Sequence, residues 1–151
     1  MTTYVDSSAL VAVYVSERFS SAARRAVQAA AQVPFTHLHG LEVLNAFEWL
    51  VGRNAMTRDD CRAVQDQLQD DIASHRLVRL TLDLDQMFTN ASELSRVYTA
   101  KTLTRSLDLL HVAASHLAIC TTFVSADDRQ LAIAKATGLK VIDIKSRIRG
   151  R

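Results

Sequence analysis

Short β-rich runs alternate with longer helical patterns along nearly the whole chain, and that alternation constrains the fold more than any other feature. β-rich runs are expected at residues 3–5, 34–36, 77–82, 121–125 and 139–142. Helical patterns fill the intervals at 7–15, 18–32, 38–52, 57–75, 85–100, 107–119 and 127–137. Strands separated by helices pair in parallel through right-handed crossovers, which leaves a sheet covered by helices on both faces. Pro34 is the single proline, and no low-complexity stretch, linker or internal repeat divides the chain. It breaks the helix before it and is expected on a short edge strand. Thr57 with Asp60 resembles a capping box, and Gly138 is placed to cap the helix before it. A length of 151 residues suits one domain.

Composition narrows the function classes. With 48% apolar and 23% charged residues the chain is globular rather than disordered. Its longest apolar run, residues 9–15, is far too short for a bilayer. The opening MTTYVDSS lacks the basic and apolar regions of a signal peptide, so a cytoplasmic location is expected. Cys61 and Cys120 have neither disulfide-framework nor zinc-site spacing. Residues 145–151, KSRIRGR, hold four of the 18 basic residues, which leaves a body of 14 basic residues and 16 acids. The expected division is therefore a domain over 1–144 with a basic tail over 145–151, either a solvated terminus or an arm for nucleic-acid phosphates.

The informative residues are acids. Asp6, the pair Asp127 and Asp128, and Asp143 each follow a β-rich run. An Asp there ordinarily caps the next helix. In parallel sheets, however, ligands also sit beyond the carboxyl ends of the strands. Two further acids lie inside apolar helices. Asp108 shares a narrow polar stripe with His111 and Ser115 in SLDLLHVAASHLAI, and only Arg105 stands within a turn to pair with it. Glu42 repeats the pattern in HLHGLEVLNAFEWLV beside His39 and Asn45, with no basic residue within a turn. An uncompensated carboxylate in such surroundings costs several kcal/mol or is forced neutral, and a cation removes that penalty. Such an oxygen-rich set suits Mg²⁺ or Mn²⁺ better than zinc. His111, three residues from Asp108, is spaced for a supporting hydrogen bond. Phosphate-cradling glycine loops and serine-nucleophile elbows are absent from the sequence.

These segments together resemble a PIN-domain protein, and more narrowly the ribonuclease toxins of VapBC toxin–antitoxin pairs. YVDSSALVAVYV, GLEVLNAFEWL, TRSLDLLHVAASHL and TFVSADDRQLAIAKATGLKVI match the family's ordered segments, each with its acid. The resemblance implies a three-layer α/β/α sandwich with a central parallel sheet of four to five strands. It places Asp6, Glu42, Asp108 and Asp127 in a metal-binding acidic cluster, with Asp6 and Asp108 as direct ligands. Asp128 is an alternative to Asp127, Ser8 and Ser125 are hydroxyls near the metal, and Asn45 orients Glu42. The implied activity is Mg²⁺-dependent hydrolysis of RNA, with Mn²⁺ able to substitute. The implied partners are a VapB-type antitoxin, a second copy of the chain and a toxin–antitoxin hetero-oligomer. Apolar residues around 9–15 and 44–49 would receive the antitoxin.

Other readings remain. A non-catalytic PIN-like module binding RNA or a partner would keep these acids as structural groups. A response-regulator phosphoacceptor wants an early acidic pair and a lysine late in a strand, whereas Asp6 stands alone and Lys140 opens the last strand. A haloacid dehalogenase wants Asp-x-Asp where this chain has Asp6-Ser7-Ser8.

Overall fold

The computed structural model describes residues 2–146. In chain order the elements are β1 (Thr3–Val5), α1 (Ser7–Tyr14), α2 (Ser20–Ala29), β2 (Val33–Phe35), α3 (His37–Gly52), α4 (Arg58–Ala73) and β3 (Leu77–Arg79). There follow α5 (Leu84–Leu94), a π-helical turn (Ser95–Thr99), α6 (Ala100–Thr102), α7 (Ser106–Leu117), β4 (Thr122–Ser125), α8 (Asp128–Ala136) and β5 (Lys140–Asp143). All strand pairs are parallel: β1 with β4, β4 with β5, and β2 with β3. Most of the expected tail, residues 147–151, lies outside the described residues. Among the described residues no helix is long and apolar enough to cross a membrane.

The expected sheet is present as one layer with an interrupted ladder. β1-β4-β5 and β2-β3 are joined only by a bridge between Thr2 and Gln32, giving the spatial order β3-β2-β1-β4-β5. The chain chemistry explains the break. Thr3 N–H donates to the Gln32 carbonyl at 2.9 Å, so alternation turns Pro34 and Thr36 toward β1 as well. Pro34 has no N–H to continue the ladder. Two residues on, the His39 imidazole fills the gap: Thr36 N–H donates to Nδ1 at 3.0 Å, and Nε2–H donates to the Val5 carbonyl at 2.8 Å. Pro34 therefore lies at an inner seam between β1 and β3, not on an outer edge.

Helices cover both faces. Val5 and Val124 pack with α1, α2, α3 and α4, whereas Tyr4 and Phe123 pack with α5, α7 and α8. Adjacent strand residues thus feed opposite layers, as a two-sided parallel sheet requires. The direction of winding changes between β1 and β4, where the crossovers leave the sheet on opposite sides. That switch point opens a crevice beyond the carboxyl ends of both strands.

Candidate functional site

Asp6 leaves β1 at this switch point and is 1% exposed. Its Oδ1 accepts from Ala9 N–H at 2.8 Å, capping α1, and from Ser8 Oγ at 3.2 Å. Its Oδ2 accepts from Ser125 Oγ, at the end of β4, at 2.6 Å. Burial raises the Asp6 pKa above the ordinary carboxylate value, and these donors partly offset the rise.

Ser125 ties the two strand ends together, because its Oγ also accepts from Asp127 N–H at 2.9 Å. Asp127 caps α8, its Oδ1 accepting from Arg129 and Gln130 N–H at 2.8 and 3.1 Å. Of the adjacent acids it is Asp127 that stands beside Ser125. Asp128 is exposed and paired with Lys145 at 2.7 Å. Asp143 joins that same surface group, 3.2 Å from Lys145.

Asp108, in the first turn of α7, is 9% exposed and accepts from Gln130 Nε2 at 2.9 Å. Arg105 Nε lies 3.3 Å from its other oxygen, but this arginine side chain is 77% exposed and such pairs hold little energy. The supporting residue is therefore Gln130, not His111. Gln130 escaped sequence reasoning because nothing in its spacing marks it. It is buried, and its Oε1 has no hydrogen-bond partner among the described residues.

Glu42, half-buried on α3, is held by Ser7 Oγ at 2.9 Å and by His111 Nε2. Burial alone would raise its pKa, but the hydrogen bonds from His111 and Ser7 outweigh that and lower it. Asn45 is exposed and is not among the hydrogen-bond partners of Glu42. His111 instead turns its Nδ1 to the Tyr4 hydroxyl at 2.8 Å. Ser115 is occupied elsewhere, donating to the Val112 carbonyl at 2.6 Å.

Hydrogen bonds tie three of the expected acids in a row, from Asp6 through Ser125 to Asp127 and through Gln130 to Asp108. Glu42 belongs to a separate group with Ser7 and His111, which lie next to Asp6 in the chain and one turn from Asp108 on α7, respectively. Among the described residues, Asp6, Glu42 and Asp127 have no Lys or Arg in salt-bridge contact. In chemistry the donor set suits a hard divalent ion: it offers carboxylate oxygens, those of Asp6 and Asp127 without a basic partner among the described residues, and one orphaned amide oxygen. The side chains are not drawn together as they stand. No three His, Cys, Asp or Glu among the described residues are close enough to share an ion.

No protein-family model matches the chain, and no curated protein matches it. Solved structures do. FitAcB from Neisseria gonorrhoeae superposes with a TM-score of 0.65 at 12% identity over 96% of this chain and 99% of that one. VapBC2 from Rickettsia felis, solved bound to a DNA fragment from their promoter, gives 0.64 at 12% identity over 95% and 98%. PAE2754 from Pyrobaculum aerophilum gives 0.61 at 20% identity over 96% and 90%. At these identities the likeness is one of fold, and the fold is the PIN-like three-layer arrangement that the sequence resemblance implied.

Proposed function

We propose that this protein is a Mg²⁺-dependent endoribonuclease, the toxin of a toxin–antitoxin pair, with its site at the switch point between β1 and β4. The single observation that carries this reading is the hydrogen-bonded row Asp6–Ser125–Asp127–Gln130–Asp108 at the strand ends, in which Asp6 and Asp127 have no Lys or Arg partner among the described residues. The fold shared with VapBC2 and FitAcB supports the toxin part.

Asp6 and Asp108 would hold the ion directly, with Glu42 and Asp127 direct or through water. Mg²⁺, or Mn²⁺ in its place, supplies polarisation of the phosphodiester and a more acidic attacking water when bound. The chain's own groups do the rest. Glu42, its pKa held down by His111 and Ser7, stays ionised at neutral pH and orients the attacking water by accepting its hydrogen bond. Ser125 keeps Asp6 and Asp127 in register across the strand ends. The exposed Arg105 stands beside Asp108, where a guanidinium meets an RNA phosphate.

A VapB-type antitoxin is the proposed partner, within a hetero-oligomer containing two copies of this chain. The surface proposed to receive it is the exposed apolar face of α3. Ala9, Leu10 and Ala12 are core residues, whereas Leu41, Leu44 and Trp49 on α3 are 68%, 46% and 57% exposed. An apolar segment laid along α3 would cover them and reach the edge of the acid site at Glu42.

The test is cleavage of total cellular RNA by the purified protein in Mg²⁺, with excess EDTA and Asp108→Asn as controls. Discrete fragments that vanish in both controls support the nuclease. RNA bound but left uncut, with no Mn²⁺ uptake, favours the non-catalytic module.

A further inference from the structure

Behind Glu42 a short relay of polar side chains runs back into the core. Tyr4 is fully buried and stacks on Phe123 with ring centroids 5.5 Å apart. Its hydroxyl lies 2.8 Å from Nδ1 of His111, itself 2% exposed. His111 Nε2 meets Glu42 Oε1, the oxygen that Ser7 Oγ also contacts at 2.9 Å.

If the Tyr4 hydroxyl donates to Nδ1, a ring with one proton carries it on Nε2. Nε2–H then points at the carboxylate. Phe at position 4 and an apolar residue at 111 would fill the same space without burying polar atoms, so core packing alone does not call for this pair. The relay is also not a serine-hydrolase triad. His111 presents the same nitrogen to Ser7, at 3.3 Å, and to the acid, and so cannot pass a Ser7 proton through the ring to the carboxylate.

We propose that Tyr4 and His111 are positioning residues of the acid site: Tyr4 fixes the His111 tautomer, and His111 with Ser7 pins one Glu42 oxygen while leaving the other free to face the substrate. This rests on the reading of the acids as a metal-dependent nuclease site. Groups that orient ligating carboxylates typically change metal affinity or activity by about 10–100-fold when removed.

The experiment combines histidine-ring ¹⁵N NMR at pH 7.5 with Mn²⁺ calorimetry and cleavage of total RNA. In the wild-type protein His111, assigned by its loss in His111→Gln, is expected to show Nε2 protonated and Nδ1 not. Tyr4→Phe keeps the ring on Phe123 and should give a mixture of tautomers. It should also show roughly tenfold weaker Mn²⁺ binding and a lowered kcat, with KM unchanged. His111→Gln, whose amide can still donate to Glu42, should retain more affinity than His111→Ala. A wild-type Nδ1–H tautomer, or a Tyr4→Phe protein with shifted tautomers but unchanged Mn²⁺ affinity and kcat, overturns the proposal. A wild-type protein that neither binds Mn²⁺ nor cuts RNA refutes the nuclease reading and the positioning role with it. The NMR result still judges the hydrogen-bond assignment separately.

Discussion

The imidazole at the seam between β1 and β2 makes folding stability depend on pH in a way that can be calculated. His39 is fully buried, accepts at Nδ1 from Thr36 N–H and donates from Nε2 to the Val5 carbonyl. Both contacts use the neutral ring. Burial, reinforced by His111, lowers its pKa to about 3, against 6.5 for an unperturbed histidine. At pH 7 the ring is neutral whether folded or unfolded. As pH falls, the unfolded chain binds a proton that the folded chain refuses, so the contribution is present above about pH 6.5 and is lost toward pH 3. Linkage over this shift gives a loss of about 2 kcal/mol between pH 7 and pH 5, rising toward a ceiling of about 5 kcal/mol below pH 3. The loss at pH 5 hardly depends on the folded value, provided that value lies below about 4. Gln is the matched replacement, because at the third helical position its side chain can keep the bond to Thr36 N–H without titrating. Urea unfolding of wild type and His39→Gln at pH 7, 6 and 5 provides the assay. Shared carboxylate effects cancel in the difference. The stability advantage of the wild type should shrink by about 2 kcal/mol from pH 7 to pH 5. A difference that stays constant with pH refutes the buried neutral imidazole.

Three further outcomes follow from named contacts. Ile119 ends α7 at φ +55° with its side chain 82% exposed, so Ile119→Gly relieves left-handed strain at little cost in burial. It should raise urea stability by about 0.5–1 kcal/mol. Ser125→Ala removes the donor to Asp6 and the acceptor for Asp127 N–H, and should cost about 1.5–3 kcal/mol at neutral pH. Asp128→Ala breaks a surface pair with Lys145, so stability should change by no more than about 1 kcal/mol, with RNA cleavage preserved.

Much of this architecture was legible because the signals were local. The β-rich run TYV leads straight into Asp6, TFVS reaches Asp127 one residue further on, and Gly138 sits at φ +99° where the sequence places a helix cap. Other helix ends were harder to read. α3, α4 and α7 close with left-handed residues as α8 does, but these are Asn54, His75 and Ile119 instead of glycine. The expected box at Thr57 has only its forward half, Asp60 N–H donating to Thr57 at 3.0 Å. The full box belongs to Thr36 and His39, where histidine occupies the position usually held by Glu or Gln. In the site, the acids stood out because charge inside an apolar helix needs an explanation. Their partners did not. Gln130 and Ser7 reach the carboxylates, and Tyr4 reaches His111, only through tertiary packing, across 22, 35 and 107 residues of chain. No periodicity encodes such separations. The π-helical turn after α5 was likewise folded into one expected helix over 85–100, because its composition is ordinary for a helix.

Asp6, Glu42, Asp108 and Asp127 are proposed to serve one divalent ion. Calorimetric titration of Mn²⁺ into the wild type, Asp6→Asn, Asp108→Asn and Asp143→Asn tests this most directly. Binding is expected for the wild type and Asp143→Asn, and its loss in Asp6→Asn and Asp108→Asn while both remain folded by circular dichroism. Undiminished binding in Asp6→Asn and Asp108→Asn would contradict the proposal.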